Sequence, residues 1–367
     1  MLQQRKSRLK ISATTTTRVQ NALLVGWLFL LPAFLLRATL AQSQTLPSFL
    51  KEEDDGDPIQ FLFLGNSFTN YNNLPKMVQT LLEEGVPELQ GKLSMKKRDP
   101  GGERFTGHLK QLASTTTESS PTQLRKWLVG DETTPSVPWN VVVLQEQSQI
   151  PGFHILEGQG GDGGKEFANS ILALEQLHNQ YISQANTKHK NSKGKTVPPP
   201  QTLLLLTWAK RNGDATNEKL FPNFGTMQRL LRQGYQRYRS AIHADEHPVW
   251  MAPAGMVFET IHNDFLLQHN NDPATDPNSL FYQLYARDGS HPSLAGSYVA
   301  ALTIYVTLTG HDPNQIEWCP PNLEMDVCGA IQDAVHRTIL QTYEAKTIQY
   351  PWATPSKSSN AIETDEL

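Results

Sequence analysis

Two short segments far apart in the chain carry side chains that together can run nucleophilic chemistry. Gly65-Asn66-Ser67-Phe68-Thr69 follows the apolar run Ile59 to Leu64, and Asp288-Gly289-Ser290-His291-Pro292-Ser293 precedes an apolar segment opening at Leu294. A serine hydroxyl must lose its proton to attack a carbonyl, a histidine can take that proton, and a carboxylate on the other ring nitrogen fixes the tautomer and stabilises the imidazolium. Asp288 and His291, three residues apart, can meet in a tight turn. Each block alone has a plainer reading: Ser67 or Thr69 as a helix cap, Asp288 and His291 as a turn-forming acid and an exposed histidine. Together, Ser67, His291 and Asp288 have the residue types of a nucleophile, its base and the acid that orients the base. Acyl transfer also needs donors for an oxyanion. Gly101-Gly102-Glu103, after a strand read over Leu93 to Lys97, offers a backbone N–H with no shielding side chain. Gln145-Glu146-Gln147-Ser148, directly after Val141 to Leu144, offers amide side chains.

The elements that must position these residues can be read from periodicity. Ile59 to Leu64, Val141 to Leu144, Thr202 to Thr207 and Val249 to Ala252 are short apolar runs with the length of buried strands. Helical spacing follows the first in Leu74, Met77, Val78, Leu81 and Leu82, and recurs over 166 to 185 and 226 to 242. A last helix carries Leu294, Tyr298, Ala301, Leu302 and Tyr305 on one face and stops at Gly310. Strands alternating with helices predict an α/β domain, a mostly parallel sheet covered on both faces. In such sheets ligands bind beyond the carboxyl ends of the strands, where the serine, glycine and glutamine blocks fall.

Other motifs lead to weaker chemistry. The glycines at 158 to 164 are followed by no Gly-Lys-Ser/Thr, and no GxGxxG opens a helix, so a phosphate loop is not indicated. His243-Ala-Asp-Glu246-His247 matches a zinc-protease spacing, but it reads as the last turn of a helix cut off by Pro248, with no evident third ligand. His108 and His262 are further candidates for the neighbourhood of the site, with a surface location as the default. Residues 113 to 122, 157 to 164 and 186 to 200 are polar, Gly-, Lys- or Pro-rich and read as surface loops.

The serine block GNSFT, the glycine block PGGE and the final block DGSHPS resemble those of the SGNH (GDSL-like) hydrolase superfamily, over about Ile59 to Gly310. The third block departs from that pattern. In place of a Gly-x-Asn-Asp segment stands Leu144-Gln-Glu-Gln-Ser, which resembles a subset of uncharacterised SGNH-like proteins with a VVLQ-x-QS segment. The resemblance implies a flavodoxin-like three-layer α/β/α sandwich and metal-free, cofactor-free hydrolysis of O-acyl esters, often acetyl groups on carbohydrates. It implies Ser67 as nucleophile, His291 as base, Asp288 as orienting acid, Gly102 as an oxyanion donor, and Gln147, or else Gln145, in place of the oxyanion asparagine. Trp208, Trp250 and Trp139 are candidate stacking surfaces for a sugar, with Trp208 nearest the expected pocket, although tryptophans at strand ends more often pack. The alternative is a non-catalytic protein of this fold that binds glycans or a protein partner.

Composition bounds these readings. The 367 residues carry 32 basic and 36 acidic side chains, so there is no cationic excess for a nucleic acid partner. The first 41 residues hold six basic groups and no acid; with the apolar run Ala22 to Leu36 and Thr39-Leu40-Ala41 they read as a secretory signal peptide cleaved after Ala41, the alternative being an uncleaved single-pass anchor that would bring the chain to a membrane. Residues 42 to 58 then form a polar linker, 59 to 350 a single domain with loop insertions, and 351 to 367 a disordered tail. In an oxidising lumen Cys319 and Cys328 would form a local disulfide, two free thiols being the other reading. The ending Thr364-Asp365-Glu366-Leu367 approaches an endoplasmic reticulum retention signal, which leaves lumenal residence and secretion both open.

Overall fold

The apolar runs become five strands: β1 (Ile59–Leu64), β2 (Leu93–Arg98), β3 (Val141–Leu144), β4 (Gln201–Leu205) and β5 (Val249–Ala252). The computed structural model describes residues 46–51, 57–113, 122–131, 136–191, 193–341, 348 and 350–352. These fall within one compact unit. The leader, its apolar run and the Thr364 to Leu367 ending lie outside the described residues, as do 114–121 of the first expected loop.

All four strand pairs are parallel, in the order β2-β1-β3-β4-β5. Phe61 to Leu64 is buried throughout and sits in register with Val141 to Leu144, so the centre of the sheet is continuous aliphatic and aromatic packing. This near-unbroken apolarity is what a strand covered on both faces requires. β4 stops at Leu205, two residues short of its apolar run, because Leu206 O and Thr207 O turn to accept bonds from Gly255 N–H and the Gln228 amide.

The helices are α1 (Ser67–Asn70), α2 (Leu74–Gly85), α3 (Phe105–Ala113), α4 (Gln123–Leu128), α5 (Asp162–Gln176), α6 (Phe224–Ile242), α7 (Ala254–His269), α8 (Leu280–Gln283), α9 (Leu294–Thr309) and α10 (Met325–His336). α5 begins four residues before its expected start and runs on as wider, π-type turns through Ile182. α2 packs on α9, while α3, α5 and α6 pack in succession. Right-handed crossovers leave β1 in both directions, so these two groups cover opposite faces and complete a three-layer α/β/α sandwich.

α9 departs from the one-faced helix expected of it. Every residue from Ala295 to Thr309 is buried, because α10 covers the outer side. Gln332 of α10 donates to Tyr298 Oη and Ile316 O, and a Cys319–Cys328 disulfide closes the approach to α10. Two terminal segments are likewise more structured than their composition predicts. Leu50, in the expected polar linker, is wholly buried. Trp352, in the expected tail, stacks on Tyr350 and donates its indole N–H to Val306 O and Thr307 O. Among the described residues no helix is long and apolar enough to cross a membrane.

Candidate active site

The strand order reverses direction at β1, whose neighbours are β2 and β3, and the carboxyl ends of β1 and β3 open the crevice where ligands bind in such sheets. The serine block leaves β1 at this point and the Gln145 block leaves β3 beside it. Gly65 sits where a Cβ would lie 2.2 Å from Thr69 Oγ1 and 2.8 Å from Gln145 Oε1, so only glycine permits the turn. Asn66 caps α1, its Oδ1 accepting from Phe68 N–H (3.1 Å). Ser67 is therefore the first helical residue, and its own N–H has no intrahelical partner.

Ser67 Oγ lies 2.8 Å from His291 Nε2, and His291 Nδ1 lies 2.5 Å from Asp288 Oδ2. The other oxygen, Asp288 Oδ1, accepts from Ser290 N–H and His291 N–H, both at 2.9 Å. Burial would raise the Asp288 carboxyl, but the bonds from the His291 ring and the two N–H groups outweigh it and hold it below the usual carboxylate range. With Asp288 ionised, Nδ1 carries the proton and Nε2 is free to accept from the serine. Tyr71 stacks on the imidazole face at 4.4 Å and Phe68 meets it edge-on at 5.6 Å, so the ring is wedged. Asn72 holds the two halves of the site together, its amide donating to Ser293 O (3.0 Å) and Ser297 Oγ (2.9 Å) at the start of α9.

The glycine block reaches the serine from the other side. Asn66 Nδ2 donates to Glu103 O at 3.0 Å. Gly102, exposed and left-handed (φ 66°), presents an N–H with no partner among the described residues. His108 is buried, contrary to its expected surface location: Nε2–H donates to Gly65 O (3.0 Å), and Nδ1 accepts from Arg98 (2.9 Å), which also pairs with Glu103 (2.7 Å). Burial first, and the Arg98 charge second, push this imidazole down to about 4.

The third block differs from expectation in both glutamines. Gln145 is buried and braces the serine turn: its Oε1 accepts from Asn66 N–H and the Thr69 hydroxyl (both 3.0 Å), and its amide N–H goes to Glu146 O (2.5 Å). Gln147 Nε2 donates to Ser148 Oγ (3.3 Å) and Gln149 Oε1 (2.9 Å), so its donors are held within its own loop. Between them Glu146 is wholly buried, accepting from Phe105 N–H, Gln147 N–H and the Ser170 hydroxyl. Burial dominates those bonds and its carboxyl is pushed up to about 7.

Trp208 is also corrected. It is wholly buried, stacked between Phe68 (4.9 Å) and Phe258 (4.7 Å), with its indole N–H on Ser290 O (3.2 Å), so it supports the histidine turn and has no face for a sugar. Trp139 is buried and Trp250 bonds Gln201 at the opposite end of the strands. Residues 243–247 lie beyond the end of α6 in a turn, where His243 Nδ1 accepts from Val249 N–H, so the two histidines share no helix face. Among the described residues no group of three His, Cys, Asp or Glu side chains is arranged to hold a metal ion.

No family model and no curated protein matches the chain. Among solved structures it is similar to a DUF4886 family protein from Bacteroides uniformis, with 18% identity, 80% of this chain and 100% of that one covered, and a TM-score of 0.53. It is also similar to a candidate SGNH hydrolase from Slackia heliotrinireducens (21% identity, 68% and 98% covered, TM-score 0.42) and to the acetylxylan esterase Axe2 from Geobacillus stearothermophilus (14% identity, 69% and 94% covered, TM-score 0.39). At these identities the likeness is one of fold.

Proposed function

We propose that the chain is a serine hydrolase that cleaves O-acyl esters through an acyl-enzyme formed on Ser67. The observation that carries this reading is the continuous line from Ser67 Oγ to His291 Nε2 (2.8 Å) and from His291 Nδ1 to Asp288 Oδ2 (2.5 Å). A capping serine needs no histidine on its hydroxyl, and a turn-forming aspartate needs no imidazole. His291 takes the Ser67 proton as Oγ bonds to the acyl carbon, and the imidazolium is stabilised by Asp288. The oxyanion is received by the N–H groups of Ser67 and Gly102, neither of which has a partner among the described residues. His291 then returns the proton to the departing alcohol, and a water, deprotonated by the same nitrogen, releases the acid. The sequence blocks favour small acyl groups, acetyl first, on a carbohydrate alcohol. The Cys319–Cys328 bond favours assembly in the secretory pathway.

The test is hydrolysis of p-nitrophenyl acetate by the wild-type protein and by Ser67→Ala. Turnover should fall by about 10⁴-fold or more in the variant. The holding of Gln147 within its own loop favours a second reading, a glycan-binding protein of this fold without turnover. Binding of acetylated oligosaccharide with equal, background hydrolysis by both proteins would establish that reading instead.

A further inference from the structure

Between β4 and α6 the chain reads Lys210-Arg211-Asn212-Gly213-Asp214. Lys210 pairs with Asp214 at 2.8 Å, but Arg211 pairs with no acid among the described residues. It is only 9% exposed, its guanidinium lies 3.7 Å over the Tyr282 ring, and its Nε is buried without a hydrogen-bond partner. Its backbone N–H donates to Gly289 O (2.8 Å), beside Asp288, and a Cβ at Gly289 would lie 3.5 Å from its Nη2. Nη1 and Nη2 are not buried and donate to no acceptor among the described residues, so this edge of the fork is the one open to a carboxylate.

Arg211 lines a cavity of about 510 Å³ on the carboxyl side of β4 and β5, large enough for one sugar ring. The opposite wall is the start of α6, a 19-residue helix. Its Asn223 cap accepts Thr226 N–H, and among the described residues the Phe224 and Gly225 N–H groups have no partners at the positive end of the helix dipole. His262 and Asn212 also line the cavity; the acid that does so, Asp272, accepts from Ala274 N–H at 2.9 Å.

The geometry points to a carboxylate-binding subsite: the substrate carries an acid group, as an O-acylated uronic acid does, and Arg211 grips it in a bidentate pair next to the Asp288–His291 turn. The planar fork matches a carboxylate, and one guanidinium in a cavity that Asp272 also lines suits a single negative charge better than a doubly charged phosphate. This inference rests on the hydrolase reading for its meaning as a subsite, but its test does not.

Glucuronate, glucose, sulfate and phosphate are titrated calorimetrically against the wild-type protein, Arg211→Gln and Arg211→Lys. The wild type should bind glucuronate roughly 10- to 100-fold more tightly than glucose. That preference should vanish in Arg211→Gln and survive in part in Arg211→Lys. Equal affinity of the wild type for glucuronate and glucose, including no binding of either, overturns the proposal without needing a variant. Tighter binding of sulfate or phosphate than of glucuronate overturns the carboxylate assignment. Uronate binding without Ser67-dependent hydrolysis would overturn the hydrolase reading while leaving the subsite.

Discussion

Asp288 uses its two oxygens differently, which separates its two roles. Oδ1 takes the Ser290 and His291 N–H groups and shapes the turn, while Oδ2 takes the imidazole. Asp288→Asn keeps an oxygen for the turn but places an NH2 opposite Nδ1, which forces the imidazole into the tautomer that cannot accept from serine. The expected result is a loss of about 10⁴-fold in kcat with the thermal midpoint little changed. A variant that loses stability in step with activity would mean that Asp288 acts only through the turn. At this scale the sequence was informative where chemistry dictates residue type: Ser67, His291 and Asp288 were legible and lie together. Gln145, Trp208 and His108 were not, because amides, indoles and imidazoles serve as braces as readily as they serve ligands, and only packing distinguishes the uses.

Glu146 and His108 act between elements, the first tying α3 to the loop after β3, the second tying α3 to the serine turn. Glu146 comes two residues after a fully buried strand, a signal that it would be buried too, since helices cover both faces of the sheet there. Its carboxyl lies raised at about 7 against an ordinary 4.5, so the folded chain binds more protons across that window and loses stability as pH rises through it. His108 lies lowered at about 4 against 6.5, so the folded chain binds fewer protons there and loses stability as pH falls. The two slopes oppose one another. Glu146→Gln removes the first and should expose the second, so that unfolding free energy measured in urea declines from pH 6.5 to 4.5 more steeply than in the wild type, by up to about 1.4 kcal/mol per pH unit. Parallel curves would show that Glu146 does not titrate in this range. The strands themselves were legible to within two residues because buried parallel strands are unbroken apolar runs; α9 read as one-faced because its outer cover comes from α10, the next helix, which no apolar periodicity had revealed.

For the whole molecule, the sheet order β2-β1-β3-β4-β5 brings residues 67 and 291 together across 224 positions. The Cys319–Cys328 bond lies in the covering layer, in which Cys319 and Cys328 are nine positions apart. Closing so short a loop stabilises a domain by about 2 to 3 kcal/mol. Replacing both cysteines by serine should therefore lower the unfolding free energy by about that amount while leaving ester turnover intact; loss of turnover in a protein that stays folded would show that α10 helps hold the site. The central claim is that Ser67 is an activated nucleophile, and a fluorophosphonate probe tests it most directly, since it reacts with such a serine whatever ester the protein cleaves. The purified protein and Ser67→Ala are treated side by side and the modified peptide is located by mass spectrometry. The account predicts a single adduct on Ser67, absent from the variant; a folded wild-type protein that takes up no probe, or takes it up equally in the variant, would contradict it.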